Sequence, residues 1–279
     1  MKADGTPHPP LPGTAARVVQ RSRDGHLSQI EDLVAEEAPV ALIYDGASFA
    51  VMMATPCDLE DFARGFSLSE GLVERADGIL SIETVSLLEG IQLHIATAPD
   101  TRGAALSAQG GRSLPGRGSC GICGTRELED AVRPAPRVRS APAFHPDMLE
   151  RALAELPAHQ PMNAVTGAVH AACWVDADGR IVLAREDVGR HNALDKLIGA
   201  MSVRDIATDA GMLLLTSRAS YEMVTKAARA GIGLIAAISA PTALAVDLAR
   251  GAGIRLVGFA RRGGYNLYTQ PEQDAGRSG

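Results

Sequence analysis

The sequence predicts a mixed protein in two parts, a smaller α+β unit followed by an α/β unit, on three observations. The first half carries strand-length apolar runs in pairs around tight turns, with one amphipathic helix between them. The second half alternates strand-length runs with helical stretches, the pattern of a sheet with helices on its faces. The chain has 279 residues, enough to bury two cores.

Residues 1 to about 27 are rich in Pro, Gly, Arg and Ser, so residues 1–30 read as a disordered tail with structure starting near Glu36. The small α+β domain is expected over 31–116. Val40–Tyr44 and Phe49–Ala54 read as strands around Asp45-Gly46, a strong hairpin signal. Thr55 suits an N-cap, Pro56 a first helical position, and Asp58 completes a capping-box spacing. Leu59, Phe62, Ala63 and Phe66 follow at helical spacing, and the helix is expected to end near Gly71. Two more strands, 79–88 and 91–97, flank Glu89-Gly90.

Residues 117–145 read as a Cys-x-x-Cys loop, a short helix at 127–132 and a Pro-rich linker over 134–142. The α/β domain is expected over 146–270, with a tail at 271–279. Its strands are expected at 168–175, 180–184, 212–216, 232–238 and 255–259, and its helices at 191–201, 219–230 and 242–250. Pro241 is expected to open the last helix and Gly251 to close it.

The net charge of −6 argues against non-specific nucleic-acid binding. No apolar run approaches the roughly 20 residues of a membrane helix, and the N-terminal stretch lacks a signal peptide's apolar core. A cytoplasmic protein is therefore expected. Four cysteines are too few for a disulfide scaffold and leave metal binding, redox work or covalent chemistry. No Gly-Lys-Ser/Thr occurs, and no Gly-x-Gly-x-x-Gly opens a helix after a strand, which disfavours ATP hydrolysis and a Rossmann dinucleotide site.

Five stretches carry chemistry. In Arg117-Gly118-Ser119-Cys120-Gly121-Ile122-Cys123-Gly124, the thiols fit half a zinc site that Cys57 and Cys173 could complete, a redox pair, or a mobile thiolate that carries a group. The residues alone leave these three open. Glu186 to Lys196 runs from a strand end through Gly189 into a helix start, a natural anion site. There His191 and Asp195 sit one turn apart, opposite the apolar stripe, and a solvated polar face explains them equally well. His170 lies in a strand of small apolar residues and suits a core histidine. Thr216 to Glu222 and Phe259 to Asn266 are further turns after strands, the latter with arginines suited to phosphate or guanine. Their convergence on one sheet edge would favour a phosphate-bearing ligand.

Taken in order, Cys120-Gly-Ile-Cys123-Gly124, residues 166–172, 186–196, 217–227, 239–249 and 258–269 resemble the formate dehydrogenase accessory sulfurtransferases (FdhD type). The likeness covers about 36–270. It implies a sulfurtransferase that accepts sulfur from a cysteine desulfurase as a cysteine persulfide. The sulfur passes to the molybdenum cofactor in its bis(molybdopterin guanine dinucleotide) form, before insertion into formate dehydrogenase. Cys120 would carry the persulfide with Cys123 assisting, and Phe259, Ala260, Arg261, Arg262, Gly263 and Gly264 would bind the cofactor, with a guanine nucleotide as its mimic. The helix-start argument adds His191 and Asn192 to that pocket. The resemblance also implies a homodimer and a cytidine-deaminase-like three-layer C-terminal domain. The zinc site of a deaminase is not expected, because His191-Asn192-Ala193 lacks the glutamate and the 217–227 helix has no cysteine. Thr216-Ser217-Arg218 also departs from the family's usual Ser-Gly-Arg. The competing expectation is a non-catalytic cofactor chaperone whose Cys-x-x-Cys holds structural zinc.

Overall fold

The computed structural model of the chain describes residues 11–108, the backbone of 114–115, and 135–271. Cys120, Cys123 and the helix expected at 127–132 lie outside the described residues.

The chain opens with an antiparallel hairpin of β1 (Thr14–Arg23) and β2 (His26–Ala35). Over residues 14–30 this corrects the expected tail, and residues 1–10 lie outside the described residues. Asp24 and Gly25 both take positive φ, 51° and 79°, which is the two-residue turn that an Asp-Gly pair favours. The Pro- and Arg-rich composition masked that signal.

β3 (Ala38–Tyr44) and β4 (Ala47–Ala54) form the expected hairpin, followed by α1 (Leu59–Ser69), β5 (Ile79–Ser86), β6 (Ile91–Thr97) and α2 (Arg102–Ala108). With the two-residue β7 (Leu114–Pro115) the strands make a five-stranded sheet in the order β5-β6-β3-β4-β7. Phe62 and Phe66 of α1 pack onto it with Val40, Leu42, Leu93 and Ile95. Thr55 does not cap α1. Asp58 holds the cap position in a left-handed conformation, and Thr55 is fully buried and bonded elsewhere.

Next come α3 (Pro146–Glu155), α4 (Pro161–Thr166), β8 (His170–Val175), β9 (Ile181–Asp187), α5 (Arg190–Val203) and β10 (Met212–Leu215). α6 (Tyr221–Arg229), β11 (Leu234–Ala237), α7 (Ala243–Ala252), β12 (Arg255–Arg261) and β13 (Gly264–Thr269) complete the fold. The expected strand and helix order is present from β8 to β12, and the sequence reading missed α3, α4 and β13. Thr242 caps α7 through its side chain, and Gly253 at φ 73° ends it, in place of Pro241 and Gly251. Residues 135–142, read as a linker, lie against the second unit: Val138 donates to Ala252 O, and the Ser140 carbonyl abuts Gly233.

The second sheet runs β13-β12-β11-β10-β8-β9. Helices α5, α6 and α7 cover one face through Leu194, Leu197, Met223, Ala227 and Ala249. α3 covers the other through Met148, Leu149 and Ala152. β10, β11 and β12 run parallel, and β8 runs antiparallel to both β10 and β9. The carboxyl ends of β9 to β12 and the amino end of β8 therefore share one edge.

α1 lies between its own sheet and α5. Gly65 and Gly199 make the crossing: a Cβ on Gly65 would stand 1.6 Å from Asp195 O, and one on Gly199 1.9 Å from Asp61 O. Each glycine lets a backbone approach that no side chain permits.

Candidate functional site

The motif from Glu186 to Lys196 does two jobs. Much of it bolts the two sheets together. Asp187 and Lys196 are fully buried, 2.7 Å apart. Asp187 Oδ2 also accepts from Thr55 N, and its Oδ1 accepts from Gly189 N and Asn192 Nδ2. Lys196 Nζ donates to Thr55 O, Asn192 Nδ2 donates to Met53 O, and Thr55 Oγ1 accepts from Val188 N. Further along α5, Asp195 accepts from Ser69 Oγ and Lys226 Nζ, while Lys226 also reaches Glu70. Burial pushes the Asp195 carboxyl up, and Lys226 opposes it. The solvated polar face that was one of two readings of His191 and Asp195 is thus absent: both are buried in α5, and Asp195 is an interlayer strut.

Glu186, on the other side of the strand, accepts from Met162 N and Asn163 N at the start of α4. Burial raises its carboxyl and those two amides pull it back down.

The remainder of the motif faces the carboxyl edge of the six-stranded sheet. His191 Nε2 lies 2.7 Å from Glu222 Oε2, close as an ion pair but out of hydrogen-bond alignment. Arg190 Nη2 is 4.0 Å from the same oxygen, and Arg190 Nε is buried without a hydrogen-bond partner among the described residues. His170 stands at the first residue of β8, paired across the ladder with Asp187. Burial, then Arg190, His191 and Arg218, push its imidazole below the ordinary histidine range. Two arginines, Arg190 and Arg218, thus bear on His170 at this edge, a setting that suits an anionic ligand. His170 is half-buried at the edge and is not a core residue.

The Phe259–Gly264 stretch, expected as a turn after the last strand, forms the end of β12 and its hairpin to β13. Phe259 adopts φ 50°, an outlier for a bulky residue, with its amide on Ser239 O and its ring 40% exposed. Ala260 is buried, Arg261 and Arg262 are exposed, and Gly263 donates to Glu150 Oε1. Ser217, at the departure from the family's glycine, is buried with its hydroxyl on Arg218 O.

The structure therefore brings His191 and the 216–222 turn together in direct contact, while Asn192 spends its amide nitrogen on the interlayer bonds. Glu222 was not singled out from the sequence. The available signal was its place in the first turn of a helix that starts after a strand, two residues past the Ser220 cap. Of the other thiols, Cys173 is fully buried and pushed up to about 12 by burial, and Cys57 is also raised, chiefly by burial. Neither is an easily formed thiolate, and Cys173 is a core residue of the sheet.

The FdhD/NarQ family profile matches residues 35–274, and the chain belongs to that family. Among curated relatives, the sulfur carrier protein FdhD of Xanthomonas euvesicatoria pv. vesicatoria is 53% identical over 262 residues, 94% of this chain and 92% of that protein. That of Cupriavidus necator is 52% identical over 274 residues, 97% and 93% of the two chains. A crystal structure of a candidate formate dehydrogenase accessory protein from Desulfotalea psychrophila matches with a TM-score of 0.71, at 24% identity, over 94% of this chain and 99% of that one. It shares the fold. Both curated relatives are named sulfur carrier proteins.

Proposed function

We propose that the chain is a sulfurtransferase that carries sulfur as a persulfide on Cys120 and delivers it to the molybdenum cofactor, in its bis(molybdopterin guanine dinucleotide) form, for a formate dehydrogenase. The observation that carries this reading is the convergence of His170, Arg190, His191 and the 216–222 turn on one sheet edge, the edge at which β12 and its arginine-bearing hairpin also end. Such an edge suits a ligand with several phosphates.

The chemistry at the thiols balances. The Cys120 thiolate attacks the outer sulfur of a cysteine desulfurase persulfide. That S–S bond breaks, the desulfurase cysteine leaves as a thiolate, and Cys120 holds the persulfide. The Cys123 thiolate then attacks the inner, Cys120 sulfur. A Cys120–Cys123 disulfide forms and the carried atom leaves as hydrosulfide, its two electrons supplied by the thiols. A cellular thiol reductant restores the pair. Cys57 and Cys173, with thiols raised by burial, are poor rivals for the first step.

The same reading includes a homodimer, a cytoplasmic setting, and a C-terminal unit of cytidine-deaminase type that has lost the zinc chemistry. The absent His-x-Glu supports that last point. A structural zinc clamp at Cys120 and Cys123 is the second reading, but the burial of Cys173 removes one thiol that would complete it.

Binding of guanosine diphosphate tests the cofactor half. Arg261→Ala is expected to weaken it about tenfold by titration calorimetry, the size of one lost charge-assisted contact. Unchanged affinity in both Arg261→Ala and His191→Ala would exclude this edge as the guanine-nucleotide site.

A further inference from the structure

We infer that Glu222 is a positioning residue: it holds the His191 imidazole and the Arg190 guanidinium and thereby sets the two groups that receive the anionic part of the ligand. The inference rests on the cofactor-binding reading above and deepens it.

Glu222 sits in the first turn of α6, and His191 and Arg190 in the first turn of α5. The two helix starts meet at the carboxyl edge, where α5 and α6 follow β9 and β10. The Glu222 side chain is 9% exposed and that of His191 6%, so their 2.7 Å contact is shielded from water. Shielding strengthens whatever charge or dipole attraction the two groups share. Arg190, at 4.0 Å, leans on the same oxygen. Ser220 Oγ stands 3.5 Å from it, which further fixes the carboxylate.

One polar atom at this junction points to a ligand. Arg190 Nε is buried with no hydrogen-bond partner among the described residues. A buried guanidinium donor of this kind is rare in a finished protein and calls for an acceptor from elsewhere. The surrounding charge fits an anion as the missing acceptor. Arg190 and Arg218 both bear on His170, and Asp187, which acts on it in the opposite sense, is already matched by Lys196. A diphosphate offers several acceptor oxygens to these groups.

A positioning role and a mere charge-balancing role give opposite signs. Glu222→Gln removes one negative charge from an edge that receives anions. If the carboxylate only balances charge, guanosine diphosphate and inorganic pyrophosphate should bind more tightly to the variant. If it positions His191 and Arg190, both probes should bind about tenfold more weakly, the scale of one lost charge-assisted hydrogen bond. The loss should also be shared with His191. Glu222→Gln/His191→Ala should then bind no more weakly than His191→Ala alone, because both changes break one device.

The measurement is titration calorimetry of both probes on the full chain, with thermal unfolding of each variant. Weaker binding by Glu222→Gln, no further loss in the double variant and an unchanged melting temperature support the inference. Equal or tighter binding by Glu222→Gln, or fully additive losses, overturns it and leaves the cofactor reading standing. If Glu222→Gln unfolds, Glu222→Asp replaces it: the shorter acid keeps the charge, so weakened binding again supports positioning and unchanged binding overturns it. A wild-type chain that binds neither probe overturns both readings together.

Discussion

Lys196→Met is expected to cost about 3–5 kcal/mol of folding stability, read as a fall in the denaturant midpoint. The lysine is wholly buried and its partner Asp187 is equally so, at 2.7 Å. Methionine fills the volume but leaves the Asp187 charge with only amide donors: Thr55 N, Gly189 N and Asn192 Nδ2. The lysine also holds Thr55 O, so the strand end after β4 loses its tie to α5 as well. Because both residues belong to one network, the double variant Asp187→Asn/Lys196→Met should lose less than the two single changes added together. Full additivity would show that the pair does not act as a unit.

Gly65→Ala is expected to cost about 3 kcal/mol, near the upper end for overpacking, because the new carbon would overlap the Asp195 carbonyl at 1.6 Å. That atom is helix backbone and cannot swing aside. The α1–α5 crossing must widen, and the interlayer bonds from Ser69 to Asp195 and from Lys226 to Glu70 would stretch with it. Gly251→Ala in α7 is the matched control. No atom lies within 4 Å of its added carbon, so the change should be neutral or stabilise by up to about 1 kcal/mol through helix propensity. Equal behaviour of the two variants would refute the close-crossing account.

The strand and helix order from β8 to β12 was legible because each run is short, apolar and separated from the next by polar turns. The placement of the 186–196 stretch was half legible. A helix start after a strand pointed to the sheet edge, where Arg190 and His191 stand. Nothing local revealed that Asp187, Asp195 and Lys196 turn inward, because their partners Thr55, Ser69 and Lys226 lie 31 to 141 residues away. Charges that pair only in three dimensions look like a solvated face in one. Thr55 misled for the same reason: its sequence neighbours suit a helix cap, while its real partners are Asp187, Val188 and Lys196. The β1–β2 hairpin was hidden by composition, although Asp24-Gly25 carries the same turn signal that located Asp45-Gly46. Glu222 gave little sign, since an acid in a helix's first turn is ordinarily a dipole partner.

The central claim is that Cys120 carries sulfur. Intact mass of the purified protein after incubation with a cysteine desulfurase and cysteine, with metal content read on the same sample, tests it most directly. The account predicts a reducible gain of one sulfur atom, retained in Cys57→Ala and lost in Cys120→Ala, with no stoichiometric zinc. Stoichiometric zinc with no sulfur uptake would contradict it and make the two thiols a structural clamp.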